Sequence, residues 1–217
     1  MYPELTRSQT RYRGTNPELR WGVRASISLE RWFGVSVGLH YSWFVIAWLI
    51  TLSLTSQFAA INRAWSPATI WALSLLTAVL FFVCIVLHEL AHASVARLSG
   101  VPVRGITLFA LGGIAQIEKD AATPGKEFWV AIAGPAVSVA IGIACRLAAA
   151  SAGFVGPGVA ISGFAAVVGW LAYINVALAL FNLVPGFPLD GGRILRSIVW
   201  AITRDRISFA CGRFGTS

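Results

Sequence analysis

Four long stretches of this chain contain no Asp, Glu, Lys or Arg, and that leaves few folds open to it. They run over residues 32–62, 64–87, 128–145 and 147–189. A helix that crosses a bilayer needs ~20 consecutive apolar residues. Three of the runs exceed that length, the fourth is barely shorter, and the last is long enough to bend or to contain a break. Soluble domains carry roughly 25% charged residues, whereas this chain carries 12%, with nine Trp and 13 Phe in 217 residues. Lipid offers backbone groups no water, so a spanning segment must satisfy its own hydrogen bonds. The expected fold class is an all-α polytopic membrane protein, with four transmembrane helices near 40–57, 67–93, 128–150 and 159–181.

The formal charge is +8, and its placement points to a lipid bilayer rather than to nucleic acid. Arg7, Arg11, Arg13, Arg20, Arg24 and Arg31 precede the first span; Arg193, Arg196, Arg204, Arg206 and Arg213 follow the last. Basic residues beside spans are retained on the cytoplasmic side. Four crossings then put both termini on the cytoplasmic side of a cell membrane. Arg97, Arg104, Lys119 and Lys126, between spans two and three, fall on the same side, and the loop between spans one and two holds only Arg63. Cys84, Cys145 and Cys211 form no metal or disulfide pattern. The polar first 31 residues do not resemble a cleavable signal. The expected organisation is a cytosolic tail over 1–31 ending in a short amphipathic segment, a membrane core over 32–200, and a basic tail over 201–217.

Local signals refine this. Ser66-Pro67 suits a helix cap and first turn. Ser99-Gly100, followed by Pro102, suits a helix end. Val103 to Ile117 reads as two short strands with a glycine bend, an apolar hairpin beside the cytosolic end of span two. At membrane depth such backbone survives only against protein or a wet cavity, so a small membrane-associated β-hairpin is expected. Gly134-Pro135 is a packing and kink site in span three. From Val184 to Arg193, two prolines and three glycines predict a broken, extended segment.

Near the end of span two stands His88-Glu89-Leu90-Ala91-His92, an HExxH pattern. Four residues apart on a helix, the two imidazoles share a face and can bind one metal ion, and Glu89 can reach a water on it. Catalytic zinc takes three protein ligands and leaves a fourth position open. His40 is the only other histidine, and the downstream acids are Glu118, Asp120, Glu127, Asp190 and Asp205. Asp190 is the strongest candidate, because it ends an uncharged run of 43 residues. A carboxylate there is costly unless paired or bound to a cation. Glu118 or Glu127 as third ligand is the competing assignment.

These segments resemble the site-2 protease family of intramembrane zinc metalloproteases, peptidase family M50. HELAH matches its HExxH pattern, and Asn182-Leu183-Val184-Pro185-Gly186-Phe187-Pro188-Leu189-Asp190-Gly191-Gly192 matches its NxxPxxPLDGG pattern. Leu111 to Ala115, Ala133-Gly134-Pro135 and Gly38 to Trp43 extend the resemblance over about Ile27 to Trp200. It implies one Zn2+ held by His88, His92 and Asp190, with Glu89 as general base. Asn182 is expected beside the metal, helping to hold substrate, and Gly112-Gly113 in a hairpin that pairs with substrate as an added strand. The implied partners are single-span membrane proteins, such as an anti-sigma factor or another membrane-tethered regulator, cut in regulated intramembrane proteolysis. Members of the CBS-domain-type subgroup it most resembles continue with two more spans and paired CBS domains, whereas this sequence stops at Gly215-Thr216-Ser217. The alternative is therefore an inactive truncated relative or a non-enzymatic membrane protein.

Overall fold

The computed structural model describes residues 27–32, 35–39, 42–101, 103–109, 112–117, 123–152, 159–186 and 188–203. In chain order the elements are strands β1 (Ile27–Trp32) and β2 (Val35–Leu39), helices α1 (Ser42–Ile61) and α2 (Pro67–Leu98), strands β3 (Val103–Phe109) and β4 (Gly112–Ile117), and helices α3 (Pro124–Ala152), α4 (Val159–Asn182) and α5 (Asp190–Thr203). Four of the helices are long and apolar enough to cross a membrane. They fit a multi-pass membrane protein.

Local chemistry explains where α2 starts and stops. Ser66 caps it, its Oγ accepting the Thr69 N–H at 3.2 Å, and Pro67 opens it with the one residue type that lacks the N–H an N-terminus leaves unbonded. At the other end Gly100 takes the left-handed conformation, φ 79°. The Gly100 N–H then donates to Arg97 O and the Val101 N–H to Ala96 O, both at 2.9 Å. That paired closure needs a residue free of a Cβ penalty at position 100. Val101 is buried against Ala96 and Val130 of α3, so the helix end is packed as well as capped. At ~1.5 Å per residue the 32 residues of α2 reach about 48 Å, well beyond a ~30 Å hydrocarbon layer.

Helix α3 is the hub, packing against α2, α4 and α5, while α1 packs against α2. Small residues let it do so. A Cβ on Gly142 would stand 2.8 Å from Val176 Cγ2 and 3.2 Å from the Ala172 carbonyl oxygen of α4. Without a water-driven hydrophobic effect between helices, such close backbone approach supplies the packing energy. A buried cluster of Leu54, Phe58, Trp65, Ala78, Cys84, Val167 and Leu171 joins α1, α2 and α4. Trp48, Leu75, Val79 and Leu180 point outward and stay exposed, as expected of helices whose outer faces meet lipid. The Lys126 Nζ donates to Ser99 O at 2.8 Å, tying the start of α3 to the end of α2.

The strands form one sheet in the order β1-β2-β3-β4. β1 and β2 are antiparallel, β2 and β3 parallel, and β3 and β4 antiparallel with Phe109 opposite Gly112 and Leu108 opposite Gly113. Two features differ from the sequence reading. β1 begins at Ile27, inside the stretch assigned to the cytosolic tail, because its partner β2 supplies hydrogen bonds that no local signal announces. And Asp190 stands at the start of a helix, not within an extended segment. The break is confined to the residues before it, and α5 runs to Thr203, past the expected core boundary at 200. His40, Glu118, Asp120, Phe187, Asp205 and the arginines of 1–26 and 204–217 lie outside the described residues.

Candidate metal centre

His88 and His92 sit one turn apart on α2 and are almost fully buried, 3% and 6% exposed. Their Nε2 atoms are 3.2 Å apart. Asp190 Oδ2 lies 3.3 Å from His88 Nε2 and 3.1 Å from His92 Nε2. Three potential ligand atoms thus converge from two elements about a hundred residues apart in sequence.

The protonation pattern makes that convergence chemically specific. His92 Nδ1 lies 2.6 Å from the Val130 carbonyl oxygen, which can only accept, so Nδ1 must carry the hydrogen. His88 Nδ1 is 2.9 Å from Ser138 Oγ. When the Ser138 hydroxyl accepts from His88, both Nδ1 atoms donate and each neutral ring directs an Nε2 lone pair into the same small space, where a carboxylate oxygen also points. Three acceptors with no donor between them repel unless a cation sits among them. Ligands ~2.0–2.2 Å from a tetrahedral ion stand about 3.3 Å apart, which the observed triangle matches. The residues present therefore fit a zinc ion.

One face of α3 builds the back of the site. Val130, Gly134 and Ser138 recur every four residues and so lie in line along the helix. Val130 holds His92 and Ser138 holds His88. Gly134, between them, leaves the space open: a Cβ there would fall 2.6 Å from His88 Nε2 and 2.7 Å from His92 Cε1, and closer still to His92 Nε2. Gly134, read from sequence as a packing residue, packs against the metal-site histidines themselves. Ser138 and the Val130 carbonyl escaped the sequence reading altogether. Their only signal is a four-residue spacing of Gly and Ser in an apolar span, which does not say which helix it faces.

Asp190 is carried in by the first turn of α5, where the helix dipole favours a negative charge. Gly191 follows because the chain doubles back tightly: a Cβ on it would collide with the carbonyls of Leu183 and Val184. Burial alone would raise the Asp190 carboxyl, but its two imidazole neighbours outweigh that and bring the group down to about 2. Asp190 is a carboxylate at any physiological pH.

The remaining sequence candidates divide. Glu89 follows His88 on α2 and is half-buried. Asn182 ends α4, and its Nδ2 donates to Leu178 O at 2.9 Å, back along its own helix. Gly112 and Gly113 open β4 at one edge of the described sheet. Glu127, the competing third ligand, is buried elsewhere: it binds Arg196 of α5, whose Nε donates to Oε1 at 2.8 Å while Nη2 reaches the same oxygen.

The profile of peptidase family M50 matches residues 76–161 and 154–215. The protein named "Putative zinc metalloprotease sll0528" of Synechocystis is 46% identical over 171 residues, 79% of this chain and 43% of the relative. "Putative zinc metalloprotease Rip3" of Mycobacterium tuberculosis is 39% identical over 191 residues, 88% of this chain and 48% of the relative. This chain thus spans about half the length of these curated relatives. Among solved structures, the site-2 protease from Methanocaldococcus jannaschii superposes with a TM-score of 0.52 at 31% identity, covering 81% of this chain and 72% of that one.

Proposed function

We propose that this chain, which belongs to peptidase family M50, is a zinc endopeptidase that hydrolyses a peptide bond in or near the transmembrane segment of single-span membrane proteins. The observation that carries the reading is the triangle of His88 Nε2, His92 Nε2 and Asp190 Oδ2, three potential ligand atoms 3.1–3.3 Å apart, with the His92 ring fixed by the Val130 carbonyl. His88, His92 and Asp190 hold one Zn2+. When bound, zinc supplies Lewis acidity, acidifying water and polarising the scissile carbonyl.

The chain's own groups do the rest. Glu89, beside His88, accepts the proton of the attacking water on its carboxylate and returns it to the departing amine nitrogen. Val130 and Ser138 keep both rings turned so that the Nε2 lone pairs face inward. The Asn182 amide, on the last residue of α4, orients substrate. A helical substrate hides its carbonyls in hydrogen bonds and must unwind before it is cut. The outer edge of β4 in the described sheet, at Gly112-Gly113, receives the unwound segment as an added strand, the hairpin lying at membrane depth. The flanking arginines set both termini in the cytoplasm. The physiological setting is regulated intramembrane proteolysis in a cell membrane, with an anti-sigma factor or similar tethered regulator as substrate.

Co-expression of the chain with candidate single-span membrane proteins tests the reading. Cleavage by the wild type should vanish with Glu89→Gln, which retains zinc, and with Asp190→Ala, which loses it. Cleavage that persists in Glu89→Gln, or full zinc content in Asp190→Ala, would refute the assignment.

A further inference from the structure

Asp190 reaches the histidines from a helix that rests on α3 but begins in a segment with weak helix propensity. The link from Asn182 contains Pro185, Gly186 and Pro188, and Asp190 is followed in the first turn of α5 by two consecutive glycines, the poorest helix formers after proline. Yet a metal ligand must be held to within ~0.5 Å. Something beyond the first turn has to fix α5.

The ion pair between Arg196 and Glu127 is placed to do so. Glu127 is only 1% exposed, although it stands in the first turn of a membrane-spanning helix. A carboxylate survives there only if a partner compensates its lost hydration, and Arg196 engages it through both Nε and Nη2. Neighbouring Lys126 is turned to Ser99 O instead. The contacts also give direction. Asp190 meets His92, which is bonded to Val130, whereas Arg196 meets Glu127, three residues nearer the start of α3. α5 therefore runs back along α3, antiparallel to it. Six residues of α5, about 9 Å, separate the metal-facing carboxylate from the anchoring guanidinium. Sliding or turning α5 would have to break the pair.

We propose that the Glu127–Arg196 pair is a strut that sets the depth and rotation of α5, and that both residues position Asp190 for the metal. This rests on the zinc reading above. Arg196 touches no ligand atom; it acts through Asp190, so its loss should alter the coordination and not merely the stability of the fold.

The test uses the full chain in detergent, with Zn2+ and Co2+ as probes. Arg196→Gln and Glu127→Gln should each weaken metal binding by about 10–100-fold and shift the visible bands of the cobalt-loaded protein, with helix content unchanged. Arg196→Lys, which keeps the charge, should recover most of the affinity. In metal-free protein, amides of α5 should exchange hydrogen faster in Arg196→Gln than in wild type, with those of α3 unaltered. Wild-type metal affinity and cobalt spectrum in Arg196→Gln would overturn the strut. Should a single variant fail to fold, the uncharged pair Glu127→Gln/Arg196→Gln replaces it, and wild-type affinity there overturns the proposal equally. A wild type that binds neither ion would defeat the zinc reading instead. The exchange of α5 would still decide the strut, since exchange unchanged by Arg196→Gln sinks it.

Discussion

Replacing Gly134 with alanine sets two magnitudes of opposite sign against each other. Inside a helix, Gly→Ala should stabilise by roughly 0.8–1 kcal/mol on propensity alone. Here the added methyl would stand 2.6 Å from His88 Nε2 and nearer still to His92 Nε2. Ordinary contact begins at 3.4 Å, so the rings must give way by about 0.8 Å or more. His88 is tied to Ser138 and His92 to Val130, both on the helix that carries the new methyl. Metal–ligand distances tolerate about ±0.2 Å, so at least one coordinating bond is lost. The expected result is a zinc affinity lower by at least a hundredfold, about 2.8 kcal/mol at 1.4 kcal/mol per decade. The helices should meanwhile remain intact, with a thermal midpoint for the metal-free protein no lower than wild type. Zinc content after purification and competition with a chromophoric chelator measure the first; circular dichroism measures the second. Gly134→Ala that binds zinc as tightly as wild type would refute the argument that this position keeps the metal's space open.

Two further substitutions separate the metal's surroundings from the packing of the fold. Ser138→Ala removes the 2.9 Å partner of His88 Nδ1 and should lower zinc affinity by about 10–100-fold; unaltered affinity in chelator competition would show that the hydroxyl does not orient the ring. Gly142→Ala would force α3 away from Val176 and Ala172 of α4, overpacking that should cost about 1–3 kcal/mol. It should appear as a lower thermal midpoint with zinc stoichiometry unchanged, and a midpoint at or above wild type would contradict it.

Much of this architecture was legible because bilayer physics and helix capping are local. A long run without charge is most simply a helix in lipid, so spans near 40–57, 67–93, 128–150 and 159–181 follow from composition and length, and the structure extends them to 42–61, 67–98, 124–152 and 159–182. Ser66-Pro67 and Ser99-Gly100 mark the ends of α2 because caps depend on residues within a turn of the terminus. HExxH is legible for the same reason, its geometry being that of a single helix. What stayed hidden depends on partners distant in sequence. β1 exists because β2 bonds to it. α5 is an amphipathic helix that follows two prolines and carries two glycines in its first turn, and its exposed Leu195, Ile198 and Ile202 give no hint that its other side rests on α3. Glu127, an acid near a span, competes plausibly as a ligand until Arg196 is found beside it.

The sequence by itself determined four helices long and apolar enough to cross a membrane and two imidazoles on one helical face, because both properties are written in spacing and in the absence of charge. Only the tertiary structure decided that α3 is the body of the site. Val130 and Ser138 bond the rings, Gly134 leaves room between them, and Glu127 pairs with Arg196 on the helix that delivers Asp190. The physical reason is that orientation of a ligand is fixed by contacts across helices, and one helix's sequence records which residues are small or polar but not what they face.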